Sequence, residues 1–432
     1  MYLATTGAGA TSGRAPRRGR VAGPVLALGA VSLVTDISSE MVTAVLPLYF
    51  VLQLGLSPLQ FGFLDGLYNA VTAVVRLAGG HAADRGGRHK LVAGGGYALS
   101  ALSRLGLLLA GGATAGIGAA LAADRIGKGV RTAPRDALIS LSSPPDQLGR
   151  AFGVHRAMDT TGALLGPLAA FALLWATADA YDAVFVVSFC CGLLGVLLLV
   201  AFVPGRRDLP RAATRTPRAS PSRARDLLKV PSFRRILAAA AVLGAATVGD
   251  AFVYLLLQRR IGFAESWFPL LPLGAAAVYL LLAVPAGRLG DRIGRRVPFL
   301  AGHAALAAAY ALLLTPLGGT ALLVGVLLLV GVFYAATDGV LMALAGPFLP
   351  TERRAAGLAV VQTGQALSRL LAAAGFGAAW TWWGTTTALT AAVLALLVAL
   401  SAAAWLLRGV ESGRPDHFNA RTADACSEGA AS

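Results

Sequence analysis

Asp36 and Glu40 stand four positions apart within an apolar run, with Ser38 and Ser39 between them. A spacing of four places both carboxylates on one face of a helix, where both can look into one cavity. An ionisable side chain in a long apolar segment is costly, at about 2.5–3.5 kcal/mol on insertion scales, and therefore marks a place where chemistry or pairing repays it. Two buried carboxyls that repel one another are candidates for reversible protonation. The competing reading is a structural pair bonded to arginines of neighbouring helices.

Cations that could answer these carboxylates lie further along. Asp65, Asn69 and Arg76 recur at spacings of four and seven and share a face. The densest cluster runs from Asp124 to Asp136, where Asp124, Lys128, Arg131 and Arg135 at spacings of four, three and four form one polar stripe on a helix. A stripe this basic is excluded from a lipid-facing surface. Arg125, Lys128 and Arg131 are expected to receive an anionic substrate group or a carboxylate from the first apolar run; the structural alternative places Arg131 and Arg135 at the cytoplasmic end, paired with Asp136 or phospholipid, and is the reading taken for Arg135. His155, Arg156 and Asp159 follow at the start of the next apolar run, with Arg156 and Asp159 placed to pair at i, i+3. That run also carries Gly153, Gly162, Gly166 and Pro167, a face stripped of side chains that allows close helix contact. Later positions are sparser in charge: Asp250, Gln258, His303, Tyr334, Asp338, Gln362, Gln365 and Arg369. Arg76, Arg125, Lys128, Arg131, His155, Asp159 and Asp338 are the expected lining of a substrate cavity, with Asp36 and Glu40 as proton-coupling groups.

The elements that must hold these residues are set by composition. Hydrophobic residues make up 56% of the 432 positions and charged residues only 13%, with a mean hydropathy of +0.69. Soluble domains carry about 25% charge, so an integral membrane protein is expected, all-α because only helices and closed barrels span lipid. At roughly 20 residues per span, twelve candidates begin near Val25, Phe61, Leu91, Thr114, Leu148, Ala183, Ile236, Trp267, Pro298, Thr320, Ala355 and Thr386. The formal net charge of +16 sits in short loops between these runs, where it reports orientation and contact with anionic lipid rather than nucleic acid. Loops after even-numbered spans are the basic ones and are assigned to the cytoplasm. Arg259-Arg260, after the seventh span, breaks that rule. Cys190, Cys191 and Cys426 have neither metal-ligand spacing nor a disulfide framework. No metal, cofactor or enzyme signature is found.

The resulting organisation is a cytoplasmic tail over 1–24, a six-helix bundle over 25–204, a basic cytoplasmic linker over 205–235, a second six-helix bundle over 236–408, and a cytoplasmic tail over 409–432. Arginines 14, 17, 18 and 20 precede a first span that is read as retained rather than cleaved. The two bundles echo each other. Gly80, Asp84, Arg85, Gly87 and Arg88 recur as Gly287, Asp291, Arg292, Gly294 and Arg295, close to half the chain length away, and a further basic residue follows each copy, Lys90 and Arg296. Each copy ends an apolar run, reverses the chain at a glycine and presents basic residues, which suits a gating clamp on the cytoplasmic side. Duplication in parallel is the implication.

On these residues the chain resembles the major facilitator superfamily of secondary transporters, over nearly its whole length. The resemblance rests on twelve spans in two pseudo-symmetric halves, the basic central linker, the duplicated loop motif, and Arg125, Gly129 and Ala133 in the fourth span. Lys128 and Arg131 depart from that family's usual glutamine and glycine. The fifth-span glycines and Pro167 resemble the pattern of bacterial proton-coupled efflux antiporters, although the closing glycine pair is Ala170-Phe171 here. The resemblance implies a monomer in the cytoplasmic membrane that moves small organic molecules by alternating access, exchanging protons. Uptake or symport of an anionic solute is the alternative, and a receptor or membrane-embedded enzyme is a different class.

Overall fold

The computed structural model describes residues 22–68, 71, 75, 89–111, 113–143, 148–203, 229–338, 340–349 and 354–410. Among these, regular structure is entirely helical. The first apolar run forms α1 (Gly23–Leu48), closed by a π turn at Tyr49–Gln53. Helix α2 covers 58–68. Helices α3 (His89–Ala110), α4 (Thr114–Leu141), α5 (Leu148–Ala176) and α6 (Tyr181–Phe202) follow. The seventh span is broken into α7 (Pro231–Ala246) and α8 (Asp250–Ile261). Then come α9 (Leu270–Ile293), α10 (Arg296–Leu312), α11 (Gly319–Thr337), the short α12 (Val340–Ala345) and α13 (Arg354–Leu406).

These elements stand where the twelve apolar runs begin. Among the described residues, eight segments are long and apolar enough to cross a bilayer. The shortfall has physical reasons. Helix α4 spends six positions between Asp124 and Asp136 on charge, α10 is only 17 residues long, and α2 is described over half a span. Helix α13 contains two spans joined without a loop, broken at Gly384, whose φ of 78° and ψ of 169° favour glycine. Apolar surface is turned outward, as lipid requires: Leu109 is 88% exposed, Leu281 76%, Trp175 74% and Val398 70%.

The chain divides into two compact units. The first takes in the described residues up to Leu56, those within 70–214, and Phe263–Leu273. Its core packs Val25, Leu28 and Val31 of α1 with Tyr97 of α3, Ile139 of α4 and Leu199 of α6. Helices α3 and α4 form a close hairpin through Gly111, at φ 50°. The second takes in 57–69, the described residues within 215–262, and Gly274 onward. Its aromatic centre is Phe252 of α8, edge-to-face with Phe61 and Phe376 at centroid separations of 4.8 and 4.9 Å.

The two arginines that break the charge rule are absorbed by this second unit. Arg260 Nη2 donates to the carbonyls of Thr315 at 2.8 Å and Leu317 at 3.1 Å, and its Nη1 to that of Leu313. The Arg259 guanidinium lies over the Trp380 ring at 5.0 Å. Both cations are engaged by carbonyl dipoles and a π face, which compensates their presence outside the basic loops.

Candidate functional site

In the first unit α1 places Asp36 and Glu40 towards α4, as their shared face requires. Asp36 is 7% exposed, and its Oδ1 accepts from Arg131 Nη2 at 3.3 Å. Arg131 also lies over the Tyr97 ring at 4.5 Å. Lys128 is within electrostatic reach of Asp36, whose carboxyl also comes within hydrogen-bonding reach of the Asp159 carboxyl on α5. Two carboxyls can bond only if one of them carries a proton. Glu40 Oε1 pairs with Lys128 Nζ at 3.4 Å, and both side chains stay close to 30% exposed. The two carboxylates of α1 therefore have different surroundings: Asp36 is buried among cations and a second carboxyl, Glu40 is partly open.

Close approach of α5 to α1 makes this network possible. At Gly162 a Cβ would strike the Leu33 carbonyl, and at Gly166 it would come 2.7 Å from Glu40 Cβ and 3.0 Å from the Ile37 carbonyl. Nothing lies within 4 Å of the corresponding point at Gly153, so that glycine contributes no close contact here. Helix α5 carries Pro167 within its length.

The base of the stripe on α4 is a separate clasp to α3. Asp124 accepts from Arg104 Nη1 and Ser100 Oγ at 2.5 Å each, and from Arg125 through Nε at 2.9 Å and through Nη2. Arg104, Asp124 and Arg125 are all buried. Arg125, expected to face substrate or a carboxylate of α1, is thus bonded to its own neighbour, and the partners of Asp36 and Glu40 are Arg131 and Lys128. Arg104 is absent from the sequence-based candidates, although an arginine at midspan flanked by Ser100 and Ser103 is itself a polar signal in an apolar run. Arg104 Nη2 also donates to Ser39 on α1 at 3.0 Å, linking the clasp to the site.

A third cluster stands beside the Asp36 network. Arg135 pairs with Asp136 at 3.1 Å and with Asp159 at 3.5 Å, and its Nη1 donates to Ser32 Oγ at 3.3 Å. Arg156 pairs with Asp159 at 3.4 Å across i, i+3. His155 Nε2 lies 3.4 Å from Ser32 Oγ and is buried. Ser32, His155 and Asp159 thereby join the end of α4 to α1 and α5.

In the second unit the repeated loop is visible. Arg295 pairs with Asp291 at 3.3 Å and donates to the Ala343 carbonyl at 2.6 Å, and Gly294 turns the chain at φ 92°. Arg292 is exposed. Asp338, also exposed, accepts from Tyr279 at 3.3 Å. The first copy of the loop, with Gly80, Asp84, Arg85, Gly87 and Arg88, lies outside the described residues, as does Arg76. Among the described residues no group of three metal-ligating side chains comes together.

Among the described residues, helices long and apolar enough to cross a bilayer, with exposed apolar side chains and ion pairs held between them, define a polytopic membrane protein. The family model of the Major Facilitator Superfamily matches residues 28–278 and 266–425, and the chain belongs to that superfamily. It is a membrane transporter, not an enzyme. An uncharacterized MFS-type transporter of Methanocaldococcus jannaschii is 27% identical over 292 residues, covering 65% of this chain and 69% of that protein. An uncharacterized protein of Mycobacterium bovis is 34% identical over 158 residues, 36% of this chain and 38% of that one. Among solved structures, a bacterial homolog of the human lysosomal transporter Spinster, inward-facing and occupied, superposes with a TM-score of 0.70 at 18% identity, covering 89% of this chain and 96% of that one. The nucleoside transporter NupG gives 0.73 at 14% identity, covering 90% and 99%. At these identities the structural likeness concerns the fold.

Proposed function

We propose that this chain is a proton-coupled secondary transporter of the cytoplasmic membrane that exports small organic molecules by alternating access. The observation that carries the reading is the setting of Asp36, held between Arg131 and Lys128 and in hydrogen-bonding reach of Asp159. Such a carboxyl has two stable arrangements. Ionised, it holds Arg131 and, through the neighbouring field, Lys128. Protonated, it bonds Asp159 and frees the cations to re-pair, with Glu40 next to Lys128. A switch between pairings at the contact of α1, α4 and α5 biases two conformations by their differential protonation. Bundles over 25–204 and 236–408, with both termini cytoplasmic and the 205–235 linker between them, rock about the site as a monomer, and the loops at Asp84 and Asp291 latch the cytoplasmic side.

Uptake of an anionic solute is the second reading, supported by the part-open ammonium of Lys128. It is the weaker one, since Arg125 and Arg131 are already engaged by Asp124 and Asp36. Liposomes containing only this protein and an internal pH dye separate the two. Under the export reading, organic cations and neutral amphiphiles dissipate an imposed proton gradient, and organic anions do not. Solute movement with no accompanying proton flux contradicts coupling altogether.

A further inference from the structure

The first unit carries a groove of about 760 Å³ that the Asp36 network does not use. It lies where three helix ends meet: the start of α1 at Gly23 and Pro24, the start of α3 at Lys90, and the end of α6 at Phe202 and Val203. The three ends are held together by the core of the unit, in which Val25, Ala93, Leu199 and Val203 are buried. Val200 and Phe202 line the groove and are themselves exposed, so it opens on the apolar surface that faces lipid.

One charge stands in this groove. Lys90 Nζ donates to the carbonyls of Val200 at 2.9 Å and Val203 at 2.6 Å, which fixes the ammonium at the C-terminal end of α6, where a cation is favoured. Both of these partners are neutral. Among the described residues no carboxylate pairs with Lys90, and none of the lining residues is acidic. An ammonium has three donors and the carbonyls take two, so one remains for a ligand. The start of α1 has no side-chain cap and no acidic residue in its first turn, so it adds a positive helix end to the same lining. Beyond the groove the sequence is basic on all three segments. Arg17, Arg18 and Arg20 precede α1, Arg85 and Arg88 precede α3, and Arg206 and Arg207 follow α6, against Asp84 and Asp208.

We propose that this groove binds an anionic phospholipid, with Lys90 receiving the phosphodiester and the apolar lining at Ala27, Ala30 and Phe202 seating the upper part of an acyl chain. Charge selects the lipid. A zwitterionic headgroup carries its own cation and gains little from the basic segments, whereas an anionic one gains from each of them. A soluble anion meets the same ammonium but has nothing to lay against the apolar wall. Bound there, the lipid bridges α1, α3 and α6, and so ties the composition of the leaflet to the helix that carries Asp36 and Glu40. The inference rests on residence in a membrane and is independent of proton coupling and of the direction of transport.

Native mass spectrometry of the full chain in detergent, titrated with phosphatidylglycerol or with phosphatidylcholine of the same acyl chains, tests it. The wild type holds phosphatidylglycerol more tightly than phosphatidylcholine. Lys90→Gln lowers the phosphatidylglycerol affinity about fivefold, the worth of one basic residue at an anionic surface, and leaves phosphatidylcholine unchanged. Ala201→Trp, at an exposed lining position, fills the groove, keeps Lys90 and lowers phosphatidylglycerol affinity as well. This second variant guards against Lys90→Gln acting by loosening the end of α6. Equal affinity of the wild type for the two lipids, or undiminished phosphatidylglycerol binding in Lys90→Gln, overturns the proposal. Undiminished binding in Ala201→Trp also overturns it, by placing the lipid on the basic segments outside the groove. Displacement of phosphatidylglycerol by inorganic phosphate overturns it too, since the site is then one for a soluble anion. Transport is not read in this experiment, so failure of the lipid site and failure of the coupling at α1 are told apart.

Discussion

Replacing Asp124 by asparagine asks whether the α3–α4 clasp stabilises the fold or serves the transported molecule. Asparagine keeps the size and one acceptor oxygen, so the packing of α4 on α3 is retained and only the charge is lost. That charge answers two guanidinium groups, Arg104 at 2% exposure and Arg125 at 5%, in a site where Asp124 itself is 6% exposed. Removing one partner of a buried ion pair costs about 3–5 kcal/mol, mostly through the stranded cation. Two guanidinium groups lose the same carboxylate here, so a loss within that range is expected for Asp124→Asn. The comparison is Lys128→Gln, whose pair with Glu40 is close to 30% exposed on both sides and is worth about 1 kcal/mol or less. Unfolding of the purified protein in bicelles, followed for both variants and for Arg104→Gln, supplies the free energies. A double-mutant cycle between Arg104 and Asp124 isolates their coupling. Equal destabilisation by Asp124→Asn and Lys128→Gln, or a coupling near zero, would refute the reasoning and return Arg125 to the substrate site.

Further outcomes follow from the same contacts. Gly166→Val places a side chain against Glu40 and the Ile37 carbonyl and should abolish folded yield on gel filtration, whereas Gly153→Ala, with open space around it, should leave yield and melting unchanged. Gly294→Ala forces a Cβ into φ 92° and should cost about 1 kcal/mol in unfolding free energy. Arg295→Gln cuts the tie to the Ala343 carbonyl and should slow turnover in liposomes while leaving substrate affinity unchanged. Arg260→Gln should raise hydrogen exchange over 313–317, whose carbonyls lose their donor, with no change at the Asp36 network.

The placement of spans was legible because each is an apolar run of bilayer length, a local property that survives without any knowledge of neighbours. The face shared by Asp36 and Glu40, and the stripe from Asp124 to Arg135, were legible for the same reason: helix periodicity fixes which side chains lie together. Partner choice was not. Arg125 follows Asp124 directly in the chain and its guanidinium turns back to it, and only the position of Arg104 across the α3–α4 hairpin explains why that carboxylate can hold two cations. The break at Thr247–Gly249 was invisible for a related reason. Its residues are apolar or small, and what stabilises the interruption is Tyr310, over sixty positions away.

Coupling at α1 is the central claim, and one measurement addresses it directly: proton-driven accumulation and substrate counterflow in liposomes, compared for wild type, Asp36→Asn and Glu40→Gln. The account predicts that Asp36→Asn loses proton-driven accumulation and keeps counterflow, because the amide retains the shape of the site and removes its titration. Glu40→Gln, by leaving Lys128 without its partner, should reduce both. Full proton-driven accumulation by both variants would contradict the account and make the carboxylates of α1 structural.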